Sequence, residues 1–234
     1  MYMNNQLTIV IPCKNEGRLV ISTLRMLTKQ NLDCQIIVAD SSTDDTINKL
    51  HNYKIQSHQI IKIIGGGLPA VARNKGANLV KTPYILFLDA DMYIHDRNLL
   101  KDCLDKMKKY DLDLLTCKFK TTNGKFNYVY RIFDFFQKIS SITNPFAIGG
   151  FMLFKTETFK KLGGFNEKNK IAEDYYISQK IKPKKFKIIN SFVYTSSRRF
   201  SKKGVWYMIK LAVLSWLNRK NENFFNKDYK NYWK

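Results

Sequence analysis

Short apolar runs that stop at polar or acidic residues, each followed by helical spacing, organise the first part of this chain. Thr8-Ile9-Val10-Ile11 closes on Pro12-Cys13-Lys14-Asn15-Glu16-Gly17 and leads into Leu19 to Lys29, where Val20, Leu24 and Leu27 recur at helical intervals. Gln35-Ile36-Ile37-Val38-Ala39 ends at Asp40, and Ser41-Ser42-Thr43-Asp44-Asp45-Thr46 then supplies Ser and Thr as N-cap candidates and carboxylates suited to the positive end of a helix dipole. Ile60 to Ile64 passes through Gly65-Gly66-Gly67 into a helix predicted from about Leu68 to Val80. Tyr84-Ile85-Leu86-Phe87-Leu88 reads as a buried strand that ends at Asp89-Ala90-Asp91. Strands alternating with helices predict an α/β fold with a doubly wound, mostly parallel central sheet, helices on both faces, and a ligand crevice over the carboxyl ends of the strands.

Farther along, Val129, Ile132, Phe133, Phe136 and Ile139 form one helical stripe between Tyr128 and Ile142, which is open to the same two readings as the tail segment below, an interfacial face or a packed one, core being the usual case. Glu173-Asp174 begins an acidic helix start over Ala172 to Lys180. The segment Val205 to Leu217 is apolar but is interrupted by Lys210, and it falls short of the roughly 20 residues that span a bilayer. Trp206 and Trp216 at its ends, with Arg198-Arg199, Lys202-Lys203 and Arg219-Lys220 flanking it, suit an amphipathic helix lying in a membrane interface. Packing on the domain's own core or on a second subunit, as in a homodimer, is the alternative.

Two carboxylates at a strand end, spaced to reach one ligand, suit a hard divalent cation that also grips phosphates, and so a nucleotide diphosphate. Read alone, Asp89 and Asp91 are equally a solvated strand end, Glu16 a solvated helix-start charge, and Asp40 an N-cap. The ordered set is more specific. Ile11-Pro12-x-x-Asn15-Glu16, Asp40-Ser41-Ser42-Thr43-Asp44-Asp45-Thr46, Arg73-Asn74-x-Gly76, Asp89-Ala90-Asp91, Gly149-Gly150-Phe151, Gly163-Gly164-Phe165-Asn166-Glu167 and Glu173-Asp174 run from about Leu7 to Arg199. In order and spacing they resemble family 2 glycosyltransferases of the GT-A fold, and a small, non-processive member in particular.

The resemblance implies an inverting, metal-dependent transfer from a nucleotide diphosphate sugar, a UDP-sugar by expectation, to a glycan, glycolipid or envelope polysaccharide precursor. It assigns Mg²⁺ or Mn²⁺ to Asp91 directly, with Asp89 sharing the metal or contacting the ribose across Ala90. Pro12, Asn15, Glu16 and Asp40 line the nucleoside pocket, where Asp40 would accept the imide N–H of uracil. Arg73 would bind the base or a phosphate edge. Gly149 and Gly150 would let backbone approach the donor sugar. Asp174 would be the general base, and Glu173 would orient the acceptor or support the loop. Arg198 and Arg199, ahead of Phe200, would hold pyrophosphate or an anionic acceptor.

Departures from subfamily patterns narrow this. Met92-Tyr93 stands where polyprenyl-phosphate sugar synthases usually carry a Gln, and the Gln-x-x-Arg-Trp motif of processive synthases is missing. A polyprenyl-phosphate transferase and a catalytically inactive glycan- or membrane-binding relative stay as alternatives. A nucleotidyltransferase would need a Gly-rich, Arg-bearing loop at Ile11 to Gly17, which is lacking.

The length of 234 residues suits a single GT-A domain over residues 1–200, with 1–117 as the nucleotide-sugar half, 118–200 as the acceptor half and 201–234 as a basic, aromatic tail. Charge divides along the same line. Residues 1–117 carry 15 Lys and Arg against 12 Asp and Glu, whereas 118–234 carry 25 against 7. That surplus predicts an anionic partner, a membrane surface or a phosphorylated acceptor, and no nucleic acid, since no RRM, KH or helix-turn-helix signature is present. Cys13, Cys34, Cys103 and Cys117 lack metal-site spacing and read as reduced, buried thiols. Asn4-Asn5-Gln6 runs straight into the first strand without a signal-peptide pattern, so the expected location is the cytoplasm, peripheral at the inner face of the cell membrane.

Overall fold

The computed structural model describes residues 5–53 and 60–227. In chain order the elements are β1 (Leu7–Cys13), α1 (Gly17–Leu27), β2 (Gln35–Asp40), α2 (Thr46–Asn52), β3 (Ile60–Gly65), α3 (Pro69–Ala77), β4 (Tyr84–Leu88) and α4 (Leu99–Lys109). They continue as β5 (Leu114–Thr121), α5 (Asn127–Ser140), β6 (Phe151–Lys155), α6 (Thr156–Lys161), α7 (Glu173–Ser178), β7 (Phe186–Thr195), α8 (Arg198–Lys203), α9 (Val205–Leu217) and α10 (Glu222–Asn226). The last seven residues of the tail, 228–234, lie outside the described residues.

The strands form one sheet in the order β3-β2-β1-β4-β6-β5-β7, parallel except for β6, which runs antiparallel to both β4 and β5. Side chains alternate across it with period two. Ile9, Ile11, Leu86 and Leu88 enter a core layer with α1 and α4 residues such as Leu24 and Leu104. Val10, Ile85 and Phe87 enter the opposite layer with Ala70 and Ala77 of α3 and with Phe159, Phe165 and Ile177. Cover on both faces explains why these strands read as unbroken apolar runs. A third, smaller cluster of Ile171, Leu211, Phe224 and Phe225 pins one edge of α9, and α10, to the segment leading into α7.

Several boundaries differ from the sequence expectation. The helix expected over Leu68 to Val80 is Pro69–Ala77, and the one expected over Ala172 to Lys180 is Glu173–Ser178. No Ser or Thr hydroxyl caps α2; its cap residue is Asp45, and the Thr46 amide donates to Asp44 Oδ1 at 3.0 Å. The larger correction concerns α5. Val129 is buried, but Ile132, Phe136 and Ile139 of the same stripe are exposed, because the helix stands on the sheet by a narrow edge only.

Candidate active site

Three motifs converge at the carboxyl end of β4, and α3 ties them together. Arg73 is buried, and its guanidinium spans two carboxylates, Nη2 to Asp89 Oδ1 at 2.7 Å and Nη1 to Glu173 Oε1 at 2.5 Å. Burial by itself would weaken that cation, but Asp89, Glu173 and Asp174 outweigh it and its pKa is raised. Asn74, the next residue, clamps the Gly163–Phe165 turn, accepting the Phe165 amide at 3.0 Å and donating to the Phe165 carbonyl at 2.8 Å. Gly164 there is left-handed, at φ +72°. Gly76 lies against β1, where a Cβ would come within 2.4 Å of Val10 Cγ1. Each defined position of Arg-Asn-x-Gly thus meets a different part of the fold.

The Asp89-Ala90-Asp91 turn is held from both sides. Ala90 is buried, and its carbonyl accepts the Thr23 hydroxyl of α1 at 2.8 Å, as the Met92 carbonyl does at 2.9 Å. Tyr93 and Tyr194 exchange amide-to-carbonyl bonds of 2.7 and 2.9 Å, which fastens the loop after Asp91 to the end of β7. That bridge delivers α8 to the site. Arg198 ion-pairs with Glu16 and lies 3.5 Å from Asp91 Oδ2. Burial, with Asp89 beside it, pushes the Asp91 carboxyl up to about 6, against the opposing pull of Arg199 and a hydrogen bond with Thr195. Two carboxylates set two residues apart at a strand end are a donor set suited to a hard cation. Among the described residues no three or more His, Cys, Asp or Glu side chains gather into a metal cluster. An ion that takes most of its ligands from phosphates and water needs only one or two protein carboxylates.

On the far side of Arg73, Ala172 is left-handed at φ 50° and starts α7 so that Glu173 and Asp174 turn inward. Asp174 Oδ2 accepts the Gly149 amide at 2.6 Å, and Oδ1 accepts the Tyr175 amide at 2.8 Å. Its carboxyl is pushed up to about 6 by burial and then by Glu173, with Arg73 acting in the opposite direction.

Residues 8–163 match the family described as Glycosyl transferase family 2. The chain belongs to that family. It is 33% identical over 127 residues to a poly(ribitol-phosphate) beta-glucosyltransferase from Bacillus spizizenii, a match covering 51% of this chain and 20% of the relative. Its fold superposes on Staphylococcus aureus TarS residues 1–349 in complex with UDP, at TM-score 0.64 and 20% identity, covering 82% of this chain and 60% of that one. A mannosyltransferase from Pyrobaculum calidifontis in complex with GDP-Man and Mn²⁺ gives TM-score 0.64 at 17% identity, over 91% of this chain and 65% of the other. These likenesses establish the GT-A architecture. The chain spans between a fifth and about a third of the length of the first curated relatives it matches.

Within this family 2 domain, the residues expected to line a nucleoside pocket sit together at the ends of the first strands. Asn15, left-handed at φ 56°, donates its amide to Ser42 Oγ at 2.7 Å and accepts the Thr43 amide at 2.8 Å on its side chain. Asp40 accepts the Ser42 hydroxyl at 2.6 Å; Pro12 lies near the end of the neighbouring β1 and Glu16 at the cap of α1. Arg73 pairs its guanidinium with Asp89 and Glu173 inside the protein. Gly149 and Gly150 are buried, and the demand for glycine is internal. A Cβ on Gly149 would lie 2.9 Å from Asp174 Oδ2, and one on Gly150 would lie 2.2 Å from Met92 Cε. Thr23, Thr195 and the Tyr93 to Tyr194 bridge were not singled out from the sequence. Their partners lie 67 to 104 residues away, and no local pattern marks them.

Proposed function

We propose that this domain transfers a sugar from a nucleotide diphosphate sugar, a UDP-sugar by preference, to an acceptor hydroxyl with inversion. The observation that carries the reading is the pairing of Asp89 and Asp91 at the end of β4 with Asp174 beyond the shared Arg73. Asp40, Asn15, Pro12 and Glu16 form the nucleoside end of the crevice, and the UDP bound by the TarS neighbour supports uracil there. Asp91 and Asp89 would hold Mg²⁺ or Mn²⁺, an ion that when bound offsets charge on the leaving diphosphate. Arg198 and Arg199 serve the pyrophosphate or an anionic acceptor, and the poly(ribitol-phosphate) acceptor in the name of the Bacillus relative supports the second role. Arg73 acts as the internal counter-ion that keeps Asp89 and Glu173 in place.

At the acceptor, Asp174 takes the hydroxyl proton as oxygen attacks the anomeric carbon and the diphosphate departs from the opposite face. The Gly149 and Tyr175 amides hold its carboxylate in position. Burial raises its pKa to about 6, so the base is ionised above that pH and protonated below it. Transfer to a hydroxyl acceptor should therefore fall by on the order of tenfold per pH unit below about 6 and level off above. A rate independent of pH from 5 to 8, measured at saturating Mn²⁺, would remove Asp174 from this role.

The test of the function is nucleotide diphosphate release from UDP-, GDP- and dTDP-sugars with Mn²⁺, with and without lipid and polyol-phosphate acceptors. Calorimetry of UDP adds a second readout. Affinity should drop by on the order of a hundredfold with excess chelator, when the carboxylates face the diphosphate without an ion between them, and in Asp91→Ala, which removes the ion's direct ligand. Equal affinity with and without metal sinks the metal assignment; release of no nucleotide diphosphate from any donor sinks the transferase.

Among the described residues no helix is long and apolar enough to cross a membrane. We assign α8 and α9, with their flanking Lys and Arg, to contact with an anionic membrane at the inner face of the cell membrane.

A further inference from the structure

The exposed apolar surface is concentrated on two helices. On α5 and the turn after it, Tyr128, Ile132, Phe135, Phe136, Ile139 and Ile142 stand in solvent, with Phe135 at 61% and Ile142 at 76% exposure. On α9, Trp206, Tyr207, Val213, Trp216 and Leu217 do the same, Trp206 at 83%. Only Lys210 and Ser215 interrupt the apolar sequence of α9, and Ser215 is buried. A helix apolar around its whole circumference belongs inside a core or in lipid. Here one edge, at Leu211, Leu214 and Ser215, meets the protein, and Trp206, Tyr207, Val213, Trp216 and Leu217 stand exposed among the described residues.

The two helices share both their anchoring points. At one end Phe126, which precedes α5, and Tyr130 of α5 pack on Phe200 of α8, with ring centroids 5.5 and 5.4 Å apart, and α9 starts directly after Gly204. At the other end Phe146, beyond α5, packs on Tyr175 of α7 at 5.8 Å, and Tyr175 and Tyr176 pack against the cluster containing Leu211 of α9. Arg198 and Asp174 thus sit at the two places where α5 and α9 are fixed.

We infer that α5 and α9 together form a two-helix seat on an anionic lipid surface, with the rim of the ligand crevice against the membrane. Charge selects this occupant over a second copy of the chain. Beyond Arg198 and Arg199, which face Glu16 and Asp91, residues 200–220 hold five Lys and Arg and no Asp or Glu, and α5 adds exposed Arg131 and Lys138 against a partly buried Asp134. A self-complementary pairing of this face would set like charges against one another, whereas anionic headgroups neutralise them. Aromatic rings beside Lys and Arg are the composition that settles at headgroup depth. The seat extends the tail assignment to a helix from the middle of the chain. It stands independently of the chemistry; only its consequence, an acceptor presented from the lipid, rests on the transferase reading.

The experiment is co-sedimentation of the full chain with vesicles of phosphatidylcholine alone and with added phosphatidylglycerol, using Phe135→Ser/Phe136→Ser on α5 and Trp206→Ser/Trp216→Ser on α9. All four side chains are exposed, so the fold should persist, with circular dichroism and UDP binding as controls. Each pair should weaken binding to phosphatidylglycerol vesicles by roughly tenfold or more, since each removes two inserted aromatic rings. Salt should weaken binding without abolishing it. The inference is overturned if the α5 pair binds vesicles like wild type, if wild type stays in the supernatant with both vesicles, or if the α5 pair only converts a dimer to a monomer in sedimentation velocity. Loss of vesicle binding with donor turnover intact, or turnover absent with vesicle binding intact, separates this inference from the proposed activity.

Discussion

Asp174→Asn is expected to cut transfer to a hydroxyl acceptor by roughly two to four orders of magnitude, the usual contribution of a positioned base. Donor binding should change by no more than about twofold, because the substitution keeps the shape and touches neither Asp91 nor the nucleoside end. One Asn oxygen can still accept either the Gly149 or the Tyr175 amide, so the loop should hold its position. Single-turnover rates with soluble acceptor, set beside calorimetry of UDP, read the two effects separately. Most of the activity surviving on a hydroxyl would show that another group takes the proton. Survival only on a lipid-phosphate acceptor would instead show that the nucleophile arrives already ionised.

Arg73→Met should have the largest effect on stability, about 3 kcal/mol, because it leaves the buried carboxylate of Glu173 and the half-buried one of Asp89 without their shared cation. The wild-type ion pairs are not the source of that figure; most of it is the penalty of stranding charge. Adding Glu173→Gln to Arg73→Met should therefore recover part of the loss, as the remaining carboxylate no longer faces a like charge. Urea unfolding of the single and double variants measures both. A shift of under about 1 kcal/mol for Arg73→Met, or no recovery in the double variant, would show that water or relaxation compensates the carboxylates and that Arg73 is not the keystone of the site.

These two residues also mark what could and could not be read from the sequence. The strands up to Leu88 were legible because cover on both faces produces continuous apolar runs, and Asp40, Asp89 and Asp91 stood out as carboxylates that terminate them. The set of seven motifs brought Asp174 to notice, but not its bond to Gly149. Arg73 and Glu173 lie 100 residues apart, and nothing local in either motif says that they meet. β5 and β7 were not singled out as strands: Lys-Phe-Lys and Asn-Ser-Phe interrupt their apolar character where the sheet edge meets solvent. The α5 stripe shows a different limit. Helical spacing reports that a helix has an apolar face, and it reports nothing about what covers that face.

The order of strands has a consequence for how the chain is made. β1 to β4 pair only among themselves until β6 joins β4, so a nascent chain can assemble that quartet soon after Leu88 leaves the ribosome. β5 has both its neighbours, β6 and β7, still to come. While residues 122–150 are being added, its apolar segment Leu114-Leu115-Thr116-Cys117 waits without a ladder, and the open edge of β4 waits for β6 to insert beside it. During synthesis the most aggregation-prone species is therefore a half-sheet stalled between β5 and β6, the interval in which a holdase would have the most surface to grip.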